Sequence, residues 1–519
     1  MRMHRIRQLI HNGVMIPPYD PVGFTIRCRG KPLRLSPEQE EMAVAWVRKL
    51  GTPQAEDGVF IRNFFTDFCR ALGIDELLGP ADFDFSEIIR WVENERAKKE
   101  NMSREEKKAL AERRKKIREE NRERYGYATV NGERVEVGNY AVEPPCIFVG
   151  RGKHPLRGRW KPRVNPEDIV LNLSPDAPTP PAPRGRSWGG RMFDPEALWI
   201  ARWKDKLTGK TKYVWISETA SFRQERDIEK FDTAMKLDRL MDRIRKHILE
   251  NLNSEDEKRR KIATVAYLID NLRMRVGDEK DEDELDTVGA TTLRGSNVTI
   301  SDSGVVKFDF LGKDAVKWVK TITPPPELVR NLREFIKGPR DPIFDKIRSE
   351  DVNAFFGEVV PGLTAKVFRT YHATKAVKDY FSKTRVRPDD PDEKKKYVAR
   401  LANLQGAITC HHKRKLPKNW KESLQKKVER LRSLKAQLKE ARKTRKGAAK
   451  VRNLKKRIEA LKMNIEIARA TRDYNLNTSL KSYIDPRVFV KWSKKVGYDW
   501  KKIYPKSLQR KFSWADDQS

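Results

Sequence analysis

A chain of 519 residues with 38% hydrophobic residues and 12 tryptophans has material for several packed cores, and its length suggests three or four units rather than one. Its 110 Lys and Arg outnumber 74 Asp and Glu, a formal charge of +36 that fits a nucleic-acid partner and excludes an acidic surface protein. Cys28, Cys69, Cys146 and Cys410 are far apart with no CxxC pair, against a disulfide framework or structural zinc, and no apolar run is long enough to span a membrane.

Residues 23–106 read as a compact first unit. Ser36 and Pro37 precede a helix carrying Met42, Val44, Ala45 and Trp46, with Gly51 after it, and IRNFFTDFCRALGI repeats the helical pattern. From Ser103 to Gly126 the chain is almost wholly charged, with Leu110 and Ile117 its sizeable apolar residues, which predicts an exposed connector helix. Residues 127–220 are rich in Pro and Gly with short strand-like runs, as in SPDAPTPPAPRGRSWGG, and predict loops over a β-rich unit.

Helical patterns return over 222–415. In TVAYLIDNLRMRVG, Val265, Leu268, Ile269, Leu272 and Val276 define one face, with Gly277 as the expected stop and Arg275 on the side of Leu268 and Leu272. Between about 420 and 470, Leu424, Leu431 and Leu438 recur every seven residues. After the break TRKGAA, Val451, Leu454, Ile458, Leu461, Ile465 and Ala468 alternate spacings of three and four. Two such helices around a Gly-containing turn predict an antiparallel coiled-coil hairpin. A short final unit covers 476–519.

Three motifs lead away from other chemistries. Gly209, Lys210 and Thr211 imitate the tail of a phosphate loop, but Lys204 stands where that loop needs Gly, so no nucleotide cofactor is expected. The acidic run from Asp278 to Asp286 reads as a solvated loop rather than a magnesium site. Cys410, His411 and His412 have no partner pair at zinc spacing, so no metal is expected.

TSLKSYIDPRVFVKW, around Tyr483, resembles the C-terminal motif of eukaryotic-type type IB DNA topoisomerases. PPCIFVGRGKHP, LRMRVGDEKDEDELDTVG, FDFLGKDAV and GLTAKVFRTYHATKAV resemble further stretches of that family, in the same order. The resemblance runs from about Pro17 to the end. It implies Tyr483 as nucleophile, Arg275 and Arg369 as catalytic arginines, Lys313 as general acid and His412 as catalytic histidine. It also places Arg151, Lys153, His154 and Lys366 on the DNA-binding surface.

These residue types suit the chemistry. A tyrosine oxygen attacking a phosphodiester builds charge on the non-bridging oxygens, which two guanidinium forks and an imidazole can stabilise, while a lysine protonates the leaving 5′ oxygen. Without the resemblance each has a blander reading: Arg275 a helix-end arginine, Lys313 a turn lysine, Arg369 and His412 ordinary polar residues, Tyr483 one of 13 tyrosines. The departures are Ser482 and His411, where the family commonly carries Asn, and a start that lacks the long charged extension of nuclear members. That shorter form resembles archaeal members, which implies a nucleoid-associated cytoplasmic enzyme, or a nuclear one if the source is eukaryotic.

The rival with related chemistry is a tyrosine recombinase. That family generally places His three residues before its second arginine, where this chain has Lys366, and lacks the hairpin. A non-catalytic DNA-binding protein would satisfy the charge alone. The expected fold is α+β and multidomain, a bilobed clamp on double-stranded DNA. A core DNA-binding subdomain (1–22 with 107–221) and a cap (23–106) form a mixed α/β lobe. A mainly helical, recombinase-like catalytic subdomain (222–415), a coiled-coil linker (416–475) and a C-terminal domain (476–519) follow. The enzyme is expected to be a monomer that needs neither ATP nor a cofactor.

Overall fold

The computed structural model describes residues 5–277, 287–312, 316–414, 416–417, 419–444 and 447–518. The chain divides into two compact units, with the boundary at Arg223 and Gln224.

Among its described residues the first unit contains several small sheets and four α-helices. β1 (Leu9–His11) is followed by the hairpin of β2 (Thr25–Cys28) and β3 (Lys31–Arg34), then α1 (Pro37–Val47) and α2 (Gly58–Leu72). Ser36 opens α1 through a capping box with Gln39, and Asp57 caps α2 by accepting from Val59 and Phe60. Gly73 ends α2 in the left-handed region. The α2 face carries Phe60, Phe64, Phe65 and Phe68 into a core with Trp46 and with Phe83 of β4 (Phe83–Asp84). The Glu40 carboxylate, fully buried, accepts from Tyr19 and from the amides of Val22, Gly23 and Phe24, which satisfies a charge that burial alone would penalise.

α3 (Ser86–Asn101) and α4 (Arg104–Tyr125) follow. No residue of α4 is buried, and Ile117 is 48% exposed, in accord with the expected connector helix. β5 (Tyr127–Val130) joins β1 and β6 (Glu133–Glu136) in a three-stranded sheet, and β7 (Cys146–Ile147) pairs with β8 (Trp160–Lys161). β9 (Ile169–Asn172), β10 (Gly190–Met192), β11 (Trp199–Lys204) and β12 (Thr211–Trp215) form a sheet in the order β10-β9-β11-β12. The β-rich character read over 127–220 is therefore present, as short strands under long loops.

The second unit opens in α5 (Ser221–Asn251) and packs α6 (Glu257–Leu272) beside it. β13 (Val298–Ile300), β14 (Val306–Gly312) and β15 (Val316–Ile322) make an antiparallel sheet. α7 (Pro326–Phe335), α8 (Ser349–Gly357), α9 (Ala365–Lys383) and α10 (Asp392–Thr409) complete the body of the unit. α11 (Trp420–Lys443) and α12 (Ala448–Ala470) run antiparallel, since the Trp420 indole donates to the Ala468 carbonyl at 3.3 Å. Leu434, Ala441, Leu454 and Ile458 are buried between them, with Leu431, Leu438, Val451 and Leu461 at the margins. α13 (Leu476–Ser482), α14 (Pro486–Val496), α15 (Lys506–Lys511) and α16 (Trp514–Asp517) end the chain.

One sequence reading is corrected. α6 stops at Leu272, not at Gly277, and Arg273 caps it in the left-handed region with φ 58 and ψ 32. For a residue with a Cβ that conformation costs about 1–2 kcal/mol. Gly277, at φ 130, serves a close approach of the backbone instead, because a Cβ on Gly289 would lie 2.4 Å from the Gly277 Cα and 2.8 Å from the Arg275 carbonyl. The two glycines let two backbone segments touch, and Ala290 and Thr291 donate to the carbonyls of Arg275 and Val276. Arg275 thus sits beyond the end of α6 and not on the helical face with Leu268 and Leu272. The apolar period continued past the point where the helix ended, which is why the stop was misplaced.

Candidate active site

The site of the second unit is assembled from α9, the end of α10 and α13. Arg369 lies in the first half of α9 among apolar neighbours and is only 4% exposed. Its Nη1 donates to Tyr483 Oη at 2.8 Å, its Nη2 donates to the Cys410 carbonyl at 2.6 Å, and Nη2 lies 3.3 Å from His412 Nε2. A buried guanidinium is tolerable only when such acceptors surround it. The guanidinium carbon also stands 4.5 Å from the Tyr483 ring centroid, so the same cation grips the phenol by its face and by its oxygen.

His412 is turned into the site by the way α10 ends. Cys410 caps the helix, His411 takes φ 52, and the His412 amide donates back to the Ala407 carbonyl at 2.9 Å. Its Nδ1 is 2.7 Å from Ser479 Oγ, and its ring centroid is 4.8 Å from that of Tyr483. Ser479 belongs to α13, so one hydroxyl links the histidine to the helix that presents the tyrosine.

Tyr483 is the C-cap of α13, and its amide donates to Ser479. Thr374 Oγ1, one and a half turns beyond Arg369 on α9, donates to the Tyr483 carbonyl at 3.3 Å and accepts the Asp485 amide at 3.1 Å. Asp485 then caps α14 and pairs with Arg487 at 2.8 Å, and Arg487 reaches Asp232 of α5. The tyrosine is therefore held by α9 at its hydroxyl and at its backbone.

Beside this group is a small open cavity lined in part by Arg273, Arg275, Arg369, His411 and Lys413, with Phe310 and Trp318 of the β14–β15 hairpin on its wall. Behind it, the buried Asp270 carboxylate takes Arg245 Nε at 2.9 Å and His372 Nε2 at 2.8 Å. Desolvation opposes the charge of Asp270, yet His372 and Arg245 hold its pKa below the usual carboxylate value. His372 is pushed down by burial, with the Asp270 hydrogen bond opposing the shift. This network joins α5, α6 and α9, and so fixes the helix leading to Arg275 against the helix carrying Arg369.

The structure thus brings Arg369, His412 and Tyr483 into contact and sets Arg275 on the wall of the adjoining cavity. Lys313 and the acidic run Asp278–Asp286 lie outside the described residues. Lys366 is exposed on α9, three residues before Arg369. Arg151, Lys153 and His154 belong to the first unit. His154 is turned inward, its Nδ1 accepting the Leu156 amide at 3.1 Å and its ring meeting Phe148 edge-on, whereas Lys153 is exposed.

Sequence reasoning missed Arg273, Ser479, Thr374, and the pair Asp270 and His372. An aspartate within the apolar pattern of α6 was a signal available in the sequence, because a carboxylate on a buried face must find a cation. The others carried none: serine and threonine hydroxyls on helices are too common to single out.

Three family descriptions match the chain in order. Residues 4–216 match the DNA-binding fragment of eukaryotic DNA topoisomerase I, 219–445 its catalytic core, and 455–519 the C-terminal topoisomerase domain. The human mitochondrial DNA topoisomerase I is 33% identical over 543 residues, covering 98% of this chain and 90% of the relative. The chain belongs to the eukaryotic-type DNA topoisomerase I family. Within that family, DNA topoisomerase 1 alpha of Arabidopsis thaliana is 37% identical over 540 residues, covering 98% of this chain. The Candidozyma auris DNA topoisomerase 1 is 38% identical over 441 residues, covering 83%. The chain spans 58% of the length of each of these two. The topoisomerase catalytic-core match contains Arg275, Arg369 and His412, and the C-terminal match contains Tyr483. Among the described residues no helix is long and apolar enough to cross a membrane, and no group of three or more His, Cys, Asp or Glu could hold a metal ion.

Proposed function

We propose that this chain relaxes positively and negatively supercoiled DNA by cutting and resealing one strand through Tyr483, without ATP and without a metal ion. The observation that carries the reading is the contact of Arg369 with Tyr483 Oη at 2.8 Å, beside the His412 ring. A donor on the phenol oxygen lowers the cost of the phenolate that attacks. As the oxygen passes to phosphorus, the same guanidinium and the imidazole remain next to the oxygens that gain charge. Arg275, on the cavity wall, supplies the second fork.

The step balances simply. The Tyr483 Oη–P bond forms, the P–O5′ bond breaks, the phenol proton passes to water, and Lys313 protonates the leaving 5′ oxygen. The product is a 3′ phosphotyrosine with a free 5′ hydroxyl. Because the diester's energy is kept in the new bond, the reverse attack reseals the strand without ATP. Between the two steps torsion turns the free end, so relaxation proceeds from either sign.

In this reading Arg151 and Lys153 serve the DNA-binding surface of the first unit, with Lys366 on the second, while the buried His154 supports their loop from behind. The two units act as the lobes of a clamp around double-stranded DNA, and the antiparallel hairpin of α11 and α12 is a coiled-coil linker delivering the C-terminal domain. The enzyme works as a monomer, and phosphate contacts dominate its binding, which weakens steeply with salt. The test is relaxation of plasmids of both signs in EDTA without ATP, by wild type and Tyr483→Phe. Wild type is expected to relax both and the variant neither. Activity that needs added magnesium, or that survives in Tyr483→Phe, overturns the reading.

A further inference from the structure

Among the described residues, those lining the cavity beside Tyr483 bring more cationic groups than the three assigned to the attacked phosphodiester. Arg273, Arg275, Lys317, Arg369 and Lys413 all line it, and no carboxylate among the described residues does. Arg369 is committed to the phenol and to the Cys410 carbonyl. Arg273 is the unexpected member. It sits at the left-handed end of α6 where Gly is the usual residue, it is half-buried, and one of its nitrogens donates to the nearby Asn271 carbonyl. Asp270, the acid whose charge acts on it, already serves Arg245 and His372.

The basic groups around Arg273 are disfavoured in their charged forms, chiefly by burial. Burial pulls the Arg273 pKa below the usual arginine value. Lys320, on β15, is pushed down to about 8 by burial and by Arg273. His411 is pushed to about 3 by burial, then by Lys320 and Arg369, and its ring stands edge-on to Trp318 at 5.3 Å. Three neighbouring basic groups, each penalised for its charge by burial, form a place where a phosphodiester would be electrostatically favoured.

We infer that Arg273 is a further DNA-binding residue, which holds a phosphodiester neighbouring the one attacked by Tyr483 and so completes a two-phosphate slot with Arg275. The inference rests on the proposed function, which seats the attacked phosphodiester in this cavity. Strain at a non-glycine helix cap is retained here because the guanidinium is required at that point, where a glycine would place nothing.

The test uses Arg273→Gly and Arg273→Asn, both residues that tolerate the left-handed conformation. Each is made in the full chain on a Tyr483→Phe background, so that binding is read without covalent chemistry. Loss of one phosphate contact makes the log–log plot of affinity against salt shallower by about 0.9, which at 0.15 M salt is roughly a fivefold loss of affinity. The melting midpoint is expected to hold or rise, because the cap is relieved of strain. With Tyr483 intact, the Arg273 variants should raise KM, whereas Arg275→Ala should lower kcat. An unchanged salt slope, or a lowered melting midpoint with the glycine variant, shows instead that Arg273 only ties the helix end, and a loss confined to kcat places it on the attacked phosphate. Failure of wild type to relax plasmid would sink the proposed function separately, since the salt slope needs no turnover.

Discussion

Replacing Arg369 by lysine keeps the charge and removes the fork. The guanidinium serves three groups at once: Tyr483 Oη at 2.8 Å, the Cys410 carbonyl at 2.6 Å and His412 Nε2 at 3.3 Å. An ammonium at the end of a shorter, narrower side chain cannot span the phenol and the carbonyl together. Whichever it abandons is left buried. A buried polar group without its partner costs about 1–3 kcal/mol, which sets the expected loss of folding stability. The loss in chemistry is larger in effect, because removing one preorganised donor from developing charge slows a reaction by roughly 10²- to 10³-fold. The assay is single-turnover cleavage of a nicked suicide substrate at saturating enzyme, with covalent complex trapped in detergent, and a parallel melting curve. Arg369→Lys should cleave at least about a hundredfold more slowly while still binding duplex DNA. A loss below about tenfold with normal stability would refute the reasoning, since it would mean that charge alone, and not the two-pronged geometry, is what the site uses.

Three further outcomes follow from the same geometry. Ser479→Ala removes the hydroxyl 2.7 Å from His412 Nδ1 and should slow cleavage about tenfold while leaving DNA affinity unchanged, because an imidazole without its orienting partner spends less time aimed at the phosphate. Asp270→Asn should flatten the acid limb of stability. The Asp270 pKa is held below its unfolded value of 3.8, so its contribution is present above that pH and is lost as pH falls through the lower folded value. Urea midpoints between pH 5 and pH 2 should fall for wild type more than for the variant. Leu454→Ala opens a cavity between α11 and α12 and should cost about 2–5 kcal/mol of local stability, read as faster amide exchange confined to the hairpin.

Much of the local architecture was legible because it depends on near neighbours. The capped start of α1, the mostly charged α4 and the alternating three- and four-residue spacing of α12 are matters of period and of residues within a turn of one another, so a single stretch contains the information. The identity of the chemistry was legible for a different reason: long stretches around Arg275, Arg369, His412 and Tyr483 resemble one family in one order. The end of α6 was misread because the apolar period ran on to Val276, while the stop was decided by Arg273 and by the contact of Gly277 with Gly289, twelve residues away.

The sequence alone determined that this is a strongly basic, multi-core chain with a tyrosine, two arginines and a histidine in the order of its family. Only the tertiary structure decided that Arg369, His412 and Tyr483 touch, with His412 43 residues and Tyr483 114 residues beyond Arg369 along the chain. It alone decided, too, that Ser479, Thr374, Asp270 and His372 hold them in place and that Arg273 shares their cavity. Period and propensity report on a residue's own helix or strand, whereas a site is made where the ends of separate helices meet, and no single stretch of chain carries that distance.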